Sequence, residues 1–151
     1  MIRKTVSFKE SCPTIEFAFE LIGEEKMTYP PDVLIMKVIG TYRNGSMGNP
    51  DAALMRGMLD TALYMWDPQT VLLDLSALEY RWGDAIESVF KGPNGRTPTV
   101  VLVGPNCRNA LSTLEHGESS VQDIVDNDEF FEDVTEALEK LRMKRTAANN
   151  P

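Results

Sequence analysis

The chain has 151 residues, a formal net charge of −8, 42% hydrophobic residues and 25% charged residues. This length and composition predict one soluble globular domain with a sizeable core. The acidic balance argues against nucleic acid and anionic membranes as partners. Cys12 and Cys107, the two cysteines, cannot form a disulfide framework or a cysteine-rich metal site.

Two strands are predicted near the N-terminus. Residues 14–22 alternate apolar and polar side chains, which is typical of a half-buried strand, and residues 33–40 are nearly continuously apolar, as in a central strand. Pro30 and Pro31 interrupt regular structure between them. Residues 1–13 form an N-terminal extension without the apolar stretch of a signal peptide, so we expect a reducing, cytoplasmic location.

The middle of the chain predicts a helix, a strand and a second helix. Asn49 and Pro50 indicate a helix start, with Asn49 as the cap, and the helix continues to residue 66. Residues 70–75 read as a buried strand. A short helix then covers the segment DAIESVFKG, with Gly92 as its stop signal.

The C-terminal part predicts a strand at 99–104 and a short helix capped by Asn106. Residues 121–125 are interpreted as a short edge strand. The last helix is marked by apolar residues at helical spacing, namely Phe130, Phe131, Val134, Leu138 and Leu141. Residues 145–151 are expected to form a flexible tail after a domain spanning 14–144.

Together these elements predict an α/β fold with a single mixed β-sheet and helices packed mainly on one face. The first two strands should pair antiparallel, and the later strands should pair in parallel through right-handed crossovers. Strands 33–40, 70–75 and 99–103 should therefore be neighbours in one sheet.

The sequence offers little catalytic machinery. His116 is the only histidine, so any serine or cysteine triad must include it, and its polar surroundings favour a solvated loop residue. No spacing of metal ligands and no phosphate-binding glycine motif is present, so we expect neither a metal nor a cofactor.

Acidic residues are concentrated towards the C-terminus. Between Asn109 and Glu139 there are ten acids and no lysine or arginine. Acids early in the last helix and bases late in it complement the helix dipole, which explains part of this pattern. The remainder predicts an acidic face that could steer a basic protein partner.

Several segments resemble the STAS domain of bacterial anti-sigma-factor antagonists and sulfate transporters. VLIMKVIGTY resembles that family's second strand, and TVLLDLSALEY is similar to its most typical segment. TVVLVGPNCRNAL resembles the next strand and turn, and DEFFEDVTEALEKL the closing helix. The resemblance covers most of the chain. It implies a STAS-like domain that acts by binding a regulatory protein or a kinase.

The chain departs from this family at the residue that defines the switch. In the antagonists, a serine at a helix N-terminus is phosphorylated by a partner kinase. An ungapped alignment from Asp74 places Asp84 at that serine. The resemblance therefore implies that the phosphorylation switch is lost and that a fixed negative charge takes its place.

Two interpretations of Asp84 remain open. As a helix N-cap it would accept hydrogen bonds from free amides, with Glu87 completing a capping box. As a substitute for phosphoserine it would keep a recognition surface in one charge state. Trp82 is interpreted either as a binding hot spot or as a ring folded onto the core.

We therefore predict a non-catalytic module that binds a partner protein through the turn between residues 80 and 84. The predicted partner-binding residues are Tyr80, Arg81, Trp82, Gly83, Asp84 and Glu87. One alternative is an immunity protein that neutralises a basic toxin through its acidic face. Another is a small enzyme that uses His116 with nearby acids.

Overall fold

Residues 1–90 and 95–150 are described by the computed structural model, and their apolar segments meet in one sheet. The elements follow the predicted alternation of strands and helices. In chain order they are α1 (Phe8–Ser11), β1 (Ile15–Ile22), β2 (Val33–Thr41), α2 (Asn49–Trp66), β3 (Thr70–Leu75), β4 (Leu78–Glu79), α3 (Glu87–Phe90), β5 (Thr99–Val103), α4 (Arg108–His116), β6 (Phe130–Phe131) and α5 (Val134–Asn149).

The sheet has the order β1-β2-β3-β5-β6, and the short β4 pairs with the end of β2. β1 is antiparallel to β2, whereas the pairs β2–β3, β3–β5 and β5–β6 are parallel. The predicted adjacency of the three apolar strands is thus confirmed, as is a single α/β domain with a mixed sheet. Because each parallel neighbour needs a crossover connection, the segments between them carry the helices.

Both faces of the central strands are buried, and side chains alternate between them. Leu34, Leu73 and Val101 point to the face covered by α2, α3 and α4, where most of the core lies. Leu72 and Val100 point to the opposite face, where α5 covers them. Three of the helices on the sheet therefore share one face. Among the described residues, no helix is both long and apolar enough to cross a bilayer.

The prediction of an edge strand at 121–125 is wrong. Ile124 begins a 3₁₀ turn and is buried, while Asp123 caps that turn from its N-terminal side. The edge strand is instead β6, whose Phe130 and Phe131 pair with β5. These two phenylalanines were assigned to the last helix from their spacing, but that helix begins only after Asp133, which caps it. A two-residue strand is too short to show an alternating pattern.

Two predicted caps are each displaced by one residue. Asn49 already has helical dihedral angles and Gly48 occupies the N-cap of α2. Cys107 occupies the N-cap of α4, and the preceding residue, Asn106, uses its backbone oxygen to accept a hydrogen bond from Tyr80. The helix end assigned to Gly92 lies outside the described residues.

The last helix extends into the segment that was predicted to be a flexible tail. α5 continues to Asn149, and Arg145 within it is only 8% exposed. The Arg145 guanidinium pairs with Glu24 and lies 3.4 Å from the hydroxyl oxygen of Thr70. This contact ties the end of the chain to β3 and to the turn after β1, which the local sequence does not reveal.

We predict that Arg145 marks the end of the segment needed for stability. A chain ending at Lys144 loses a charge-assisted hydrogen bond, so its free energy of unfolding should be about 2 kcal/mol lower than that of the full chain. A chain ending at Thr146 keeps Arg145 and should stay within about 0.5 kcal/mol of the full chain. Urea denaturation of the three proteins measures the difference, and equal stability of the two truncated chains would contradict the assignment.

Candidate functional site

The candidate site is built from two loops that follow the carboxyl ends of β2 and β4. The first loop comprises residues 42–48 and leads into α2, and the second comprises residues 80–84 and leads towards α3. They are joined by a backbone hydrogen bond of 3.2 Å from Gly45 N–H to Trp82 O. The carboxyl ends of parallel strands are the usual position of binding sites in α/β domains.

Two buried tyrosines form the base of this site. The rings of Tyr42 and Tyr80 pack edge to face with centroids 5.3 Å apart, and the Tyr80 hydroxyl donates a 3.0 Å hydrogen bond to Gly83 O. Burial, reinforced by the charges of Asp51 and Asp84, raises the pKa of Tyr42 to about 12. Both phenols therefore stay neutral at physiological pH and act as packing and positioning groups.

Trp82 lies in the second loop and remains 62% exposed. Its ring packs against Gly45, where an added Cβ would lie 2.5 Å from Cη2 of the indole. Gly45 also has a φ of +59°, a conformation that favours glycine. The indole is thus supported by backbone on one side while most of its surface is open to solvent. The ring of Trp82 is therefore not folded onto the core, contrary to one of the two interpretations from the sequence.

The prediction that Asp84 caps the following helix is wrong. Gly83, with a φ of +136°, is the N-cap, and Asp84 is already the first residue of a 3₁₀ turn that leads into α3. A cap residue must lie outside the helical region to fold its side chain back onto the amides. The Asp84 carboxylate is exposed and accepts no hydrogen bond from any described residue.

The remaining predicted residues lie on either side of this turn. Arg81 is exposed and makes a 3.1 Å ion pair with Glu79, which also has substantial exposure, so the pair contributes little stability. Glu87 is half-buried at the start of α3, and its negative charge helps to raise the pKa of Tyr80 after the larger effect of burial. Because Asp84 is not the cap, Glu87 does not complete a capping box with it.

A cleft of about 320 Å³ separates the turn from α4. The structure thereby brings five of the six predicted residues together along one wall, and α4 supplies the opposite wall through Ala110, Thr113 and Leu114. Gly117 and Glu118 close the end of the cleft just beyond α4. The contribution of α4 was not predicted, because it joins the turn only through the fold.

A buried ion pair at the base of the first loop was also missed. Asp51 is fully buried in the first turn of α2, and its carboxylate accepts from the Arg43 guanidinium at 2.7 to 3.2 Å. It also accepts from the backbone N–H of Arg43 at 2.9 Å. The guanidinium in turn donates to Ser11 O at 2.6 Å. In the sequence, Asp51 looks like an ordinary acid at a helix N-terminus.

His116 is not the solvated loop residue that was predicted. It is the last residue of α4 and half-buried, and its Nε2 has no hydrogen-bond partner among the described residues. Within the described part of the chain, no serine, cysteine or carboxylate side chain is hydrogen-bonded to this ring. Nor do residues 1–90 and 95–150 gather three or more histidines, cysteines and acids in a possible metal site.

The acidic segment is partly neutralised by bases from outside it. Arg108 pairs with Asp123 at 2.9 Å and also with Glu132, and the hydrogen bond from Arg108 lowers the pKa of Asp123. Lys144 pairs with Glu129 at 2.9 Å. The predicted acidic face is therefore interrupted by basic side chains that the linear sequence places elsewhere.

Comparison with protein-family models gives no match, and comparison with curated protein sequences gives no significant match.

We predict that Gly45 controls the position of Trp82. Gly45→Ala should cost about 1–2 kcal/mol of stability, because the Cβ requires a disfavoured φ and meets the indole. In a Trp66→Phe background, Trp82 fluorescence should shift, since the ring must move.

Gly57→Ala is the matched control, because a Cβ at that helical position meets nothing within 4 Å. It should stabilise the protein by about 0.5–1 kcal/mol and leave the fluorescence unchanged. Identical spectra for Gly45→Ala and the parent would show that the ring does not depend on this contact.

We predict that Asp51 anchors the first loop. Asp51→Ala leaves the Arg43 guanidinium without its buried partner and should cost about 3–5 kcal/mol. Asp60→Ala removes the exposed partner of Arg56, at 3.3 Å in the same helix, and should cost less than about 0.5 kcal/mol. Chemical denaturation of both variants provides the comparison, and similar losses would contradict the anchoring role.

Proposed function

We propose that this protein is a non-catalytic, STAS-like regulatory module that binds a partner protein through the turn at residues 80–84. The observation that carries the proposal is Trp82, an indole that is 62% exposed yet packed against Gly45, in a turn that the Tyr80 hydroxyl closes by its hydrogen bond to Gly83. Exposed aromatic residues held in place lose little conformational entropy on binding, and tryptophan is enriched among binding hot spots.

The charged neighbours of the indole support recognition of a protein surface. Arg81 precedes Trp82 in the chain and Asp84 follows it, and both are exposed and line the same cleft as the indole. The Asp84 carboxylate accepts no hydrogen bond among the described residues, so both of its oxygens are available to a partner. An apolar centre flanked by opposite charges combines affinity with selection of orientation.

The resemblance to STAS antagonists suggests the kind of partner. It aligns Asp84 with the serine that such proteins use as a phosphorylation switch, and Asp84 is exposed at the start of a helical turn. Under this proposal the chain carries its negative charge permanently and binds a regulatory protein or a kinase in the cytoplasm. Loss of the cap interpretation leaves the recognition interpretation of Asp84 as the better supported one.

A basic toxin is the alternative partner that a specific feature favours. Glu118 lines the cleft beside Trp82 just beyond α4, and Glu115 is exposed on that helix. The ion pairs made by Arg108 and Lys144 reduce the charge of the more distant part of the acidic segment. Sequencing the captured partner therefore distinguishes a regulator or kinase from a toxin acting at the same turn.

We predict that Trp82→Ala weakens partner binding by about 2 kcal/mol or more, because it removes the central apolar anchor. Asp84→Asn should weaken binding by about 1 kcal/mol while changing stability by no more than a few tenths, since the carboxylate caps nothing. The measurement begins with capture from native lysate on wild-type and variant baits, read by mass spectrometry. Calorimetric titration with the purified partner follows.

Tyr64→Ala is the matched control, because Tyr64 is a 94% exposed aromatic residue on α2, away from the turn. It should bind the partner as the wild type does. The proposal fails if no captured protein distinguishes the Trp82→Ala bait from the Tyr64→Ala bait, or if both bind the partner with the same affinity.

A further inference from the structure

The outer edge of the sheet at β1 has backbone groups available for pairing. β1 is the terminal strand of the sheet and pairs with β2 alone along its eight residues. Thr41 N–H donates to Thr14 O at 2.9 Å at the start of this ladder, with partner numbers that continue the register of the two strands. Hydrogen-bonded pairs alternate in an antiparallel ladder, so the backbone groups of Ile15, Phe17, Phe19 and Leu21 point outward.

This edge lacks most of the features that prevent strand addition. It contains no proline, glycine or lysine, and it is longer than the two residues of β6 at the opposite edge. Phe17, Phe19 and Leu21 are only partly buried against the core, although Phe19 contacts Trp66 with ring centroids 5.4 Å apart. An added strand would cover these side chains and satisfy the outward amides and carbonyls.

The charges on β1 determine which kind of strand fits. Glu16 and Glu20 are exposed on the face opposite the core, on either side of the exposed Ala18. Glu16 meets only the exposed Lys9 at 3.6 Å, and Glu20 has no hydrogen-bond or ion-pair partner among the described residues. Lys37, opposite Ala18 on the neighbouring strand, is already paired with Asp74. Glu20 is therefore unpaired among the described residues and Glu16 is held only by an exposed, weak ion pair, so both carboxylates can pair with an incoming strand.

Charge disfavours a second copy of the chain at this edge. In a symmetric antiparallel pair centred on Ala18, Glu16 of each copy would lie opposite Glu20 of the other. Like charges directly opposite each other destabilise strand pairing. The net charge of −8 adds to the repulsion between two copies.

We propose that the outer edge of β1 is a second docking site, which binds an extended segment of a partner protein by strand addition. The segment alternates apolar side chains, which cover Phe17, Phe19 and Leu21, with basic side chains, which pair with Glu16 and Glu20. Backbone hydrogen bonds supply affinity and the alternation supplies selectivity. This site is separate from the turn at residues 80–84 and does not depend on the function proposed for it.

The test uses the full chain and a capped peptide of the same length as β1, eight residues, alternating lysine and valine. The peptide should bind with a Kd below about 1 mM. The amides of Phe17, Phe19 and Leu21 should exchange quickly with solvent in the free protein and become protected by the peptide, as measured by NMR-detected hydrogen exchange.

A charge-reversed protein tests the selectivity. Glu16→Lys with Glu20→Lys should weaken binding of the lysine–valine peptide by about tenfold and favour a glutamate–valine peptide instead. Glu10→Lys with Glu25→Lys changes the net charge equally at exposed positions outside β1, and should weaken binding by no more than about twofold.

The proposal is overturned by any of four results. These are no binding of the lysine–valine peptide at about 1 mM, protection of amides elsewhere than on β1, equal weakening in both charge-reversed proteins, and a wild-type dimer whose β1 amides are already protected without peptide. The last result would assign the edge to self-association. None of these measurements involves Trp82, so their failure leaves the function proposed for the turn unaffected.

Discussion

The contact between Asp51 and Arg43 is the constraint on which the rest of the site depends. A carboxylate with no exposure to water is stable only when it is fully paired, and here it accepts from both the side chain and the backbone of Arg43. These bonds fasten the end of β2 to the first turn of α2. The connecting loop is therefore fixed at both ends, and Gly45 within it is held at the position where the second loop packs.

The second loop is held in place by its contacts with the first. Tyr80 packs on Tyr42 and hydrogen-bonds to Gly83, so the turn is closed from inside the domain. The side chain of Trp82 projects from this turn, in contact with Gly45 but largely exposed to water. An exposed indole on a mobile loop would lose entropy on binding, whereas one packed against Gly45 in an ordered turn has lost much of it during folding. The arrangement suits contact with another molecule.

The two proposed surfaces differ in the physical origin of their selectivity. At the turn, one aromatic side chain and its charged neighbours would define a compact contact, as in the centre of a protein interface. Along β1, repeated backbone groups would provide the attraction, and Glu16 and Glu20 would select the side chains of the added strand. The acidic character of the chain would support both proposed surfaces, because a net negative charge opposes self-association and attracts basic partners.

The sequence by itself determined the buried parallel strands, the long helix α2 and the position of an exposed turn, because hydrophobic periodicity records which side chains leave water. It failed at β6, because two residues are too few to show an alternating pattern. It also failed at the turn, because the backbone φ of Gly83 makes that residue, and not Asp84, the cap of the 3₁₀ turn. Only the tertiary structure decided that Asp51 meets Arg43, that α4 faces Trp82 and that Arg145 is buried. Arg43 and Asp51 are separated by a whole loop, and the other contacts join residues far apart in the chain. No local pattern encodes which partner beyond its own element will neutralise a charge or cover a ring.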